Sequence, residues 1–244
     1  MQVCILAAGK GSRLGAAAEK QPKALLPVLN RPLIQYTLDF ISQLNPESII
    51  VVGGYGFRLL KEFLQSQENR YPPLVLLRNP QQTPGNLSSL MCALPHLHSS
   101  FLLCNADHIY PRTLLEYIPN PPRSIQIFGD TQHPLQADDM KWIATSSGTL
   151  AYLSKQATSY DGGYIGLSAI GEEYLATYKR AAEHLRHQTD GMNLAVEQIL
   201  NQLVKMGESI TILPVEGLRG WEIDTPEDLQ ITEQELNQTD ICVE

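Results

Sequence analysis

Val3-Cys4-Ile5-Leu6-Ala7-Ala8 runs directly into Gly9-Lys10-Gly11-Ser12-Arg13-Leu14-Gly15, and this junction constrains the fold more than any other stretch. A short apolar run that ends in glycines reads as a buried parallel strand whose carboxyl end opens into a ligand crevice. Gly9 and Gly11 let the backbone approach a ligand closely, and consecutive free N–H groups there form an anion-binding nest. Lys10, Arg13 and Lys23 add local positive charge to a chain whose formal net charge is −8. Two familiar phosphate loops are excluded. A Walker loop needs glycine, four residues and then Gly-Lys-Ser/Thr, whereas Lys10 lies between two glycines; a dinucleotide fingerprint needs a glycine where this chain has Leu14.

The rest of the chain supports a mostly parallel α/β sheet. Strand patterns at Ser48–Val52, Leu74–Leu77 and Phe101–Cys104 alternate with helical ones that start at Asn30-Arg31-Pro32, Phe57 and Asn86. Such alternation gives right-handed crossovers with helices on both faces of the sheet, a Rossmann-like architecture. At 244 residues and 43% apolar content the chain fits one domain. We divide it into a first part over 1–118, an insert over 119–170, and closing helices over 171–244. In the insert, Met140–Thr145, Thr149–Leu153 and Gly163–Ala169 read as strands of a smaller mixed sheet. Helices are expected over Glu172–Leu185 and Asp190–Met206, and a strand at Ile210–Pro214.

Composition narrows the function. The acidic balance argues against a nucleic-acid surface, which needs a basic face. Cys4, Cys92, Cys104 and Cys242 show no Cys-x-x-Cys spacing, and Cys4 and Cys104 fall in apolar strands as small hydrophobes. No signal peptide is visible, and no segment approaches the roughly 18 apolar residues of a membrane span. A cytoplasmic setting, no membrane partner and room for an oligomer are the resulting expectations.

Three further stretches carry chemistry. In Asn79-Pro80-Gln81-Gln82-Thr83-Pro84-Gly85-Asn86, the glutamines offer donor and acceptor together, and the glycine lets a base lie against backbone; the alternative is an ordinary capped helix. Asn105-Ala106-Asp107-His108 follows the fourth strand, so Asp107 overlooks the same crevice as the glycine loop. As a hard oxygen ligand it suits Mg²⁺, while His108 orients the loop or packs. Thr225-Pro226-Glu227-Asp228 is a helix start, which puts Asp224 at a fixed corner.

With these motifs quoted, Leu-Ala-Ala-Gly-x-Gly-Ser-Arg-Leu with a downstream Pro-Lys resembles the signature of the nucleotidyltransferases that make sugar- and alcohol-diphosphonucleosides. The resemblance implies that Leu6, Ala7, Ala8, Gly9, Lys10, Gly11 and Ser12 wrap a nucleoside triphosphate while Arg13 and Lys23 neutralise its phosphates. It implies that Gly85, Asn86 and one of Gln81 and Gln82, with Gln82 favoured, read the base. Asp224, in Trp-x-x-Asp-Thr, becomes the second Mg²⁺ ligand beside Asp107. Lys155 becomes the lysine for the acceptor phosphate, with Lys141 a weaker candidate and a solvated strand-end lysine the alternative. Gly-Asn-x-x-Ser-Leu looks most like the cytidylyltransferase branch, including inositol-1-phosphate and choline-phosphate enzymes, so CTP is the favoured nucleotide and a phosphorylated small alcohol, phosphate or phosphonate the acceptor. Tyr164-Ile165-Gly166 departs from the Asp-Thr-Gly of the inositol enzymes. The rival readings are a sugar-1-phosphate nucleotidylyltransferase using UTP, dTTP or GTP, and a catalytically silent nucleotide-binding module.

Overall fold

The computed structural model describes all residues except 20, 68, 82, 84, 216–219 and 239–244. In chain order its elements begin with β1 (Gln2–Ala7), a 3-10 turn over Ser12–Ala18, β2 (Pro27–Val28), β3 (Arg31–Pro32) and α1 (Leu33–Ser42). There follow β4 (Ser48–Gly53), α2 (Phe57–Ser66), β5 (Leu74–Arg78), α3 (Leu87–Ala93), β6 (Phe101–Asn105) and β7 (His108–Ile109). The second half holds β8 (Ile125–Asp130), β9 (Lys141–Ala144), β10 (Leu150–Ser154), β11 (Gly162–Ile170), α4 (Leu175–Arg186), α5 (Gln198–Lys205), β12 (Ile210–Pro214), β13 (Trp221–Glu222) and α6 (Pro226–Gln238).

A nine-stranded sheet organises them, with β1 central between parallel neighbours β4 and β6. Its side chains alternate between two cores, as the period of a strand requires. Cys4 and Leu6 pack with α3, α4 and α5 on one face, whereas Val3, Ile5 and Ala7 pack with α1 and α2 on the other. Burial on both faces explains why the run is continuously apolar rather than alternating.

The structure departs from the sequence pattern in three places. The insert strands do not form a sheet of their own: β11 pairs antiparallel with β6, β8 and β9, so the mixed subregion extends the main sheet. Arg31-Pro32 is extended and pairs with Pro27-Val28, and α1 starts one residue later. The pattern over Asp190–Met206 predicts one helix, but a 3-10 turn at Gly191–Asn193 precedes extended Leu194, and α5 begins at Gln198. The reason is tertiary. The Leu194 carbonyl accepts from the Leu87 amide at 3.1 Å, and the Val196 amide donates to Asn86 Oδ1 at 2.6 Å. Those backbone groups are spent across the crevice instead of within a helix.

Among the described residues no helix is long and apolar enough to cross a membrane. Cys4 and Cys104 are buried, and burial pushes the Cys4 thiol up to about 12.

Candidate active site

Two short strands bring the carboxylates together. His108-Ile109 pairs antiparallel with Trp221-Glu222, and the Ile223 amide donates to the Asp107 carbonyl at 3.1 Å. From the other side, the Asp228 carboxylate accepts the amides of Asp224 and Thr225 at 3.0 and 2.8 Å, while Thr225 Oγ1 accepts the Asp228 amide at 3.1 Å. This reciprocal cap fixes the corner that carries Asp224. Beneath it Leu14, Ile109, Trp221, Ile223 and Leu236 form an apolar cluster. Burying each aliphatic member stabilises the fold by roughly 1.5–3 kcal/mol and anchors the neighbours Arg13 and Asp224.

The charges above this cluster are already paired. Lys23 Nζ donates to Asp107 Oδ2 at 2.6 Å and also to Asp224 Oδ1. Arg13 bridges Asp224 and, at 2.8 Å, Asp138. Burial opposes ionisation of Asp107 and Asp224, but Lys23 outweighs it and holds both carboxyls below the usual range. Burial likewise lowers the Lys23 ammonium, and the two carboxylates more than reverse that. His108 is buried, with Nδ1 2.7 Å from Asp107 Oδ1 and Nε2 3.7 Å from Glu222. Burial would lower this imidazole; Glu222 and Asp107 raise it. Gly166 at φ 73° closes over the ring, and a Cβ there would lie 2.5 Å from His108 Nε2. Orientation of the loop, one of the roles expected for His108, matches this packing.

A crevice of about 590 Å³ opens above the pairs. Leu6, Ala8, Gly9, Lys10, Gly11, Ser12 and Arg13 line it, joined by Asp107 and Asp224; Ala7 is buried in β1. Among the described residues the amides of Gly9, Lys10 and Gly11 have no protein acceptor. Gln81, Gly85 and Asn86 line the crevice as well, whereas Gln82 lies outside the described residues. Asn86 is committed to structure through Val196 and through Asn105 Oδ1 at 3.4 Å. A Cβ on Gly85 would lie 2.1 Å from the Leu194 carbonyl, so only glycine lets the loop dock there. Lys155 and Glu197 line the crevice too. Burial raises the Glu197 carboxyl, and Lys155 opposes that rise. Lys141 does not reach the crevice: it is buried and bonded to backbone carbonyls.

Could the site hold a metal? Asp107 and Asp224 both converge on one cation, the Lys23 ammonium, so the pair supplies the hard oxygen donors that Mg²⁺ takes. Asp107, His108 and Glu222 also offer ligand atoms within 4.8 Å of one another. The imidazole suits Mg²⁺ less, and its Nδ1 is already bonded to Asp107. Sequence reasoning passed over Glu222 and Asp138. Glu222 lies two residues before Asp224 and could have been found as the other acidic member of that motif; Asp138 sits in the aperiodic stretch before β9 and carries no such signal.

A central parallel sheet, helices on both faces and a charged crevice at the strands' carboxyl ends define a nucleotide-diphospho-sugar transferase fold. The inositol-1-phosphate CTP transferase from T. maritima shares that fold, with a TM-score of 0.81, 17% identity and coverage of 99% of this chain and 98% of that one. The chain belongs to the MobA-like NTP transferase domain family, which matches residues 3–125. It is 26% identical over 239 residues to the bifunctional IPC transferase and DIPP synthase of Aquifex aeolicus, covering 97% of this chain and 52% of that protein. It is 24% identical over 257 residues to the CTP:phosphoglutamine cytidylyltransferase of Campylobacter jejuni, covering 95% and 98%. The chain thus spans about half the length of the Aquifex relative and nearly all of the Campylobacter one.

Proposed function

We propose that the protein is a Mg²⁺-dependent cytidylyltransferase that joins CMP from CTP to a phosphorylated small alcohol, or a related phosphate or phosphonate, and releases pyrophosphate. The observation that carries this reading is the single crevice in which acceptor-free loop amides face two convergent carboxylates. The family supports nucleotide transfer, and the Campylobacter relative is named for CTP. Residues 1–118 serve the nucleotide, 119–170 the acceptor, and 171–244 close the corner. A CTP-using enzyme belongs with the cytoplasmic nucleotide pool.

The chemistry needs positioning and charge neutralisation more than a general base. A phosphate monoester with a second pKa near 6 is mostly dianionic at neutral pH. One of its oxygens forms a bond to the α-phosphorus as the bond to the α–β bridging oxygen breaks, and that oxygen leaves on pyrophosphate. Amides of the Gly9–Gly11 loop bind triphosphate oxygens, and Arg13 and Lys23 offset the charge that develops on the leaving group. Lys155 holds the acceptor phosphate, and Gly85, Asn86 and Gln82 belong to the base side. Asp107 and Asp224 would hold Mg²⁺, which supplies charge neutralisation at the transferring phosphoryl group when bound.

Pyrophosphate release, measured for four nucleoside triphosphates against a panel of phosphorylated alcohols, phosphonates and hexose phosphates, tests the reading. CTP with an alcohol phosphate or phosphonate should give the fastest turnover. Faster release with UTP, dTTP or GTP and a hexose phosphate would make the enzyme a sugar-1-phosphate nucleotidylyltransferase. Nucleotide binding without turnover on any acceptor would favour a silent binding module.

A further inference from the structure

Lys141 is a buried cation with an unusual set of partners. It is 5% exposed, and its ammonium meets backbone oxygens of Gln136 (2.9 Å), Ala137 (3.2 Å), Asp139 (3.0 Å) and Lys155 (3.2 Å). Among the described residues no carboxylate pairs with it; the Tyr160 ring lies 5.8 Å away, within cation–π range. An ammonium has three N–H groups, so four carbonyls use its whole donor capacity and none is left for a ligand.

The partners come from two separate places in the chain. Lys141 opens β9 and pairs in register with Ser154 at the end of β10. Three of its carbonyls belong to the aperiodic loop before β9, and the fourth belongs to Lys155, just past β10. That loop presents Asp138 to Arg13 at 2.8 Å, and Lys155 reaches the crevice. Burying an uncompensated charge is costly, and fixed geometry at two places on the crevice rim is what this arrangement provides.

We infer that Lys141 is a positioning residue: its carbonyl-caged ammonium holds the backbone of Lys155 and the 136–139 loop in register, and so sets where the acceptor phosphate is captured. This rests on the reading of Lys155 as the acceptor-phosphate lysine.

The test compares Lys141→Met, Lys155→Ala and the double variant, using CTP and the acceptor that turns over fastest in the screen. Lys141→Met keeps an unbranched side chain one atom shorter and removes the charge. Acceptor KM should rise about tenfold and kcat fall less, with the CTP dissociation constant within about threefold of wild type, the scale of a misplaced charge-assisted contact. Because Lys141 acts through Lys155, the double variant should be no worse in acceptor KM than Lys155→Ala alone. In Lys141→Ala, millimolar methylammonium should re-enter the cage and recover part of the acceptor KM. Additive losses in the double variant, or a lowered melting temperature with unchanged acceptor KM, would overturn the inference. If Lys141→Met does not accumulate as folded protein, Lys141→Arg tests the cage instead: a planar guanidinium too wide for four carbonyls around one nitrogen should raise acceptor KM in the same direction and add nothing to Lys155→Ala, and a wild-type acceptor KM would overturn the inference. Hydrogen exchange separates the two readings. Faster exchange in Lys141→Met confined to 136–139 and 154–156, with Lys155→Ala kinetically silent, would sink the Lys155 assignment and with it the catalytic half of this inference. Unchanged exchange there would sink the positioning half.

Discussion

The proposed nucleotide wall and acceptor wall of the crevice differ in their lysines: Lys23 meets the crevice through the two carboxylates on its ammonium, whereas Lys155 lines it with none in ion-pair distance among the described residues. Lys23 is 6% exposed, whereas Lys155 is exposed. In the proposed reaction a phosphate contact from Lys23 or Arg13 would therefore be an exchange, because an existing pair with Asp107, Asp224 or Asp138 must loosen first. A divalent cation arriving with the triphosphate would take over those carboxylates and free the basic groups. On the proposed acceptor wall a phosphate reaching Lys155 would break no ion pair among the described residues, although the Glu197 carboxyl acts on the same ammonium. Substitution of Lys23 on the first wall should disturb folding, binding and turnover together; substitution of Lys155 on the second should touch the acceptor alone.

The largest effect is expected where the exchange is centred. Asp224→Asn should lower turnover by about 10²–10³-fold, the scale of one lost electrostatic contact to a transferring group. CTP affinity, measured calorimetrically, should change much less. Lys23→Ala should lower both, since it faces the phosphates as well as the carboxylates. Wild-type turnover in Asp224→Asn would remove that residue from the mechanism and leave Glu222 as the next carboxylate to test.

Lys155→Ala sharpens the contrast from the other wall. Acceptor kcat/KM should fall by about tenfold to a hundredfold with the CTP dissociation constant nearly unchanged, and Lys155→Arg should recover only part, because a planar fork replaces a compact ammonium. Weakened CTP binding with intact acceptor kinetics would move Lys155 to the nucleotide side and erase the distinction between the walls.

How much of this contrast the sequence contains differs by residue. The glycine loop and Asp107 are legible because a continuous apolar strand ends immediately before each, and the carboxyl end of such a strand faces a crevice. Asp224 is legible through the Thr225-Pro226 helix start. Their meeting is not. It depends on β7 and β13, two residues each, too short for any periodicity to register. The pairing of Lys23 with both carboxylates follows from that meeting and is equally hidden. The break before α5 is hidden for a related reason: Val196, Ile199, Leu200 and Leu203 keep a helical stripe, while backbone bonds to Leu87 and Asn86 decide where the helix begins. Lys141 reads only as a weaker candidate for the acceptor phosphate, since a cage of carbonyls leaves no mark on side-chain pattern.

The paired wall should also show itself in stability against pH. Asp107 and Asp224 have folded-state pKa values below the ordinary value of about 3.9. Their contribution is therefore fully present above pH 4–5 and is lost as pH falls through the folded values. Wild type should lose melting temperature as pH is taken from 5 towards 2, by about 2–4 °C for each kcal/mol lost. Lys23→Met should start lower at pH 7 and fall less steeply, because the cation that depresses both carboxyls is gone. Parallel curves for the two proteins would mean that the Lys23 pairs add nothing to folding.

The smallest effect is the most specific to the exchange idea. Arg13 and Asp138 have side chains 53% and 56% exposed, so their bridge is worth only about 0.2–1 kcal/mol. Asp138 nevertheless competes with a triphosphate for the same guanidinium. Asp138→Asn keeps the shape of the loop and removes that competition, so CTP should bind more tightly by up to about fivefold, the upper end of the same energy range. The gain should be greatest without added Mg²⁺, when no other cation helps to release Arg13 from its carboxylates, and it should shrink as salt screens the exposed bridge. The acceptor KM should not move, because Asp138 pairs with Arg13 and not with Lys155. Calorimetric titration of CTP into wild type and Asp138→Asn, with and without Mg²⁺, reads all of this. Weaker CTP binding in the variant would show that Asp138 orients Arg13 for the phosphates and does not compete for it, and the nucleotide wall would then be preorganised by its own carboxylates.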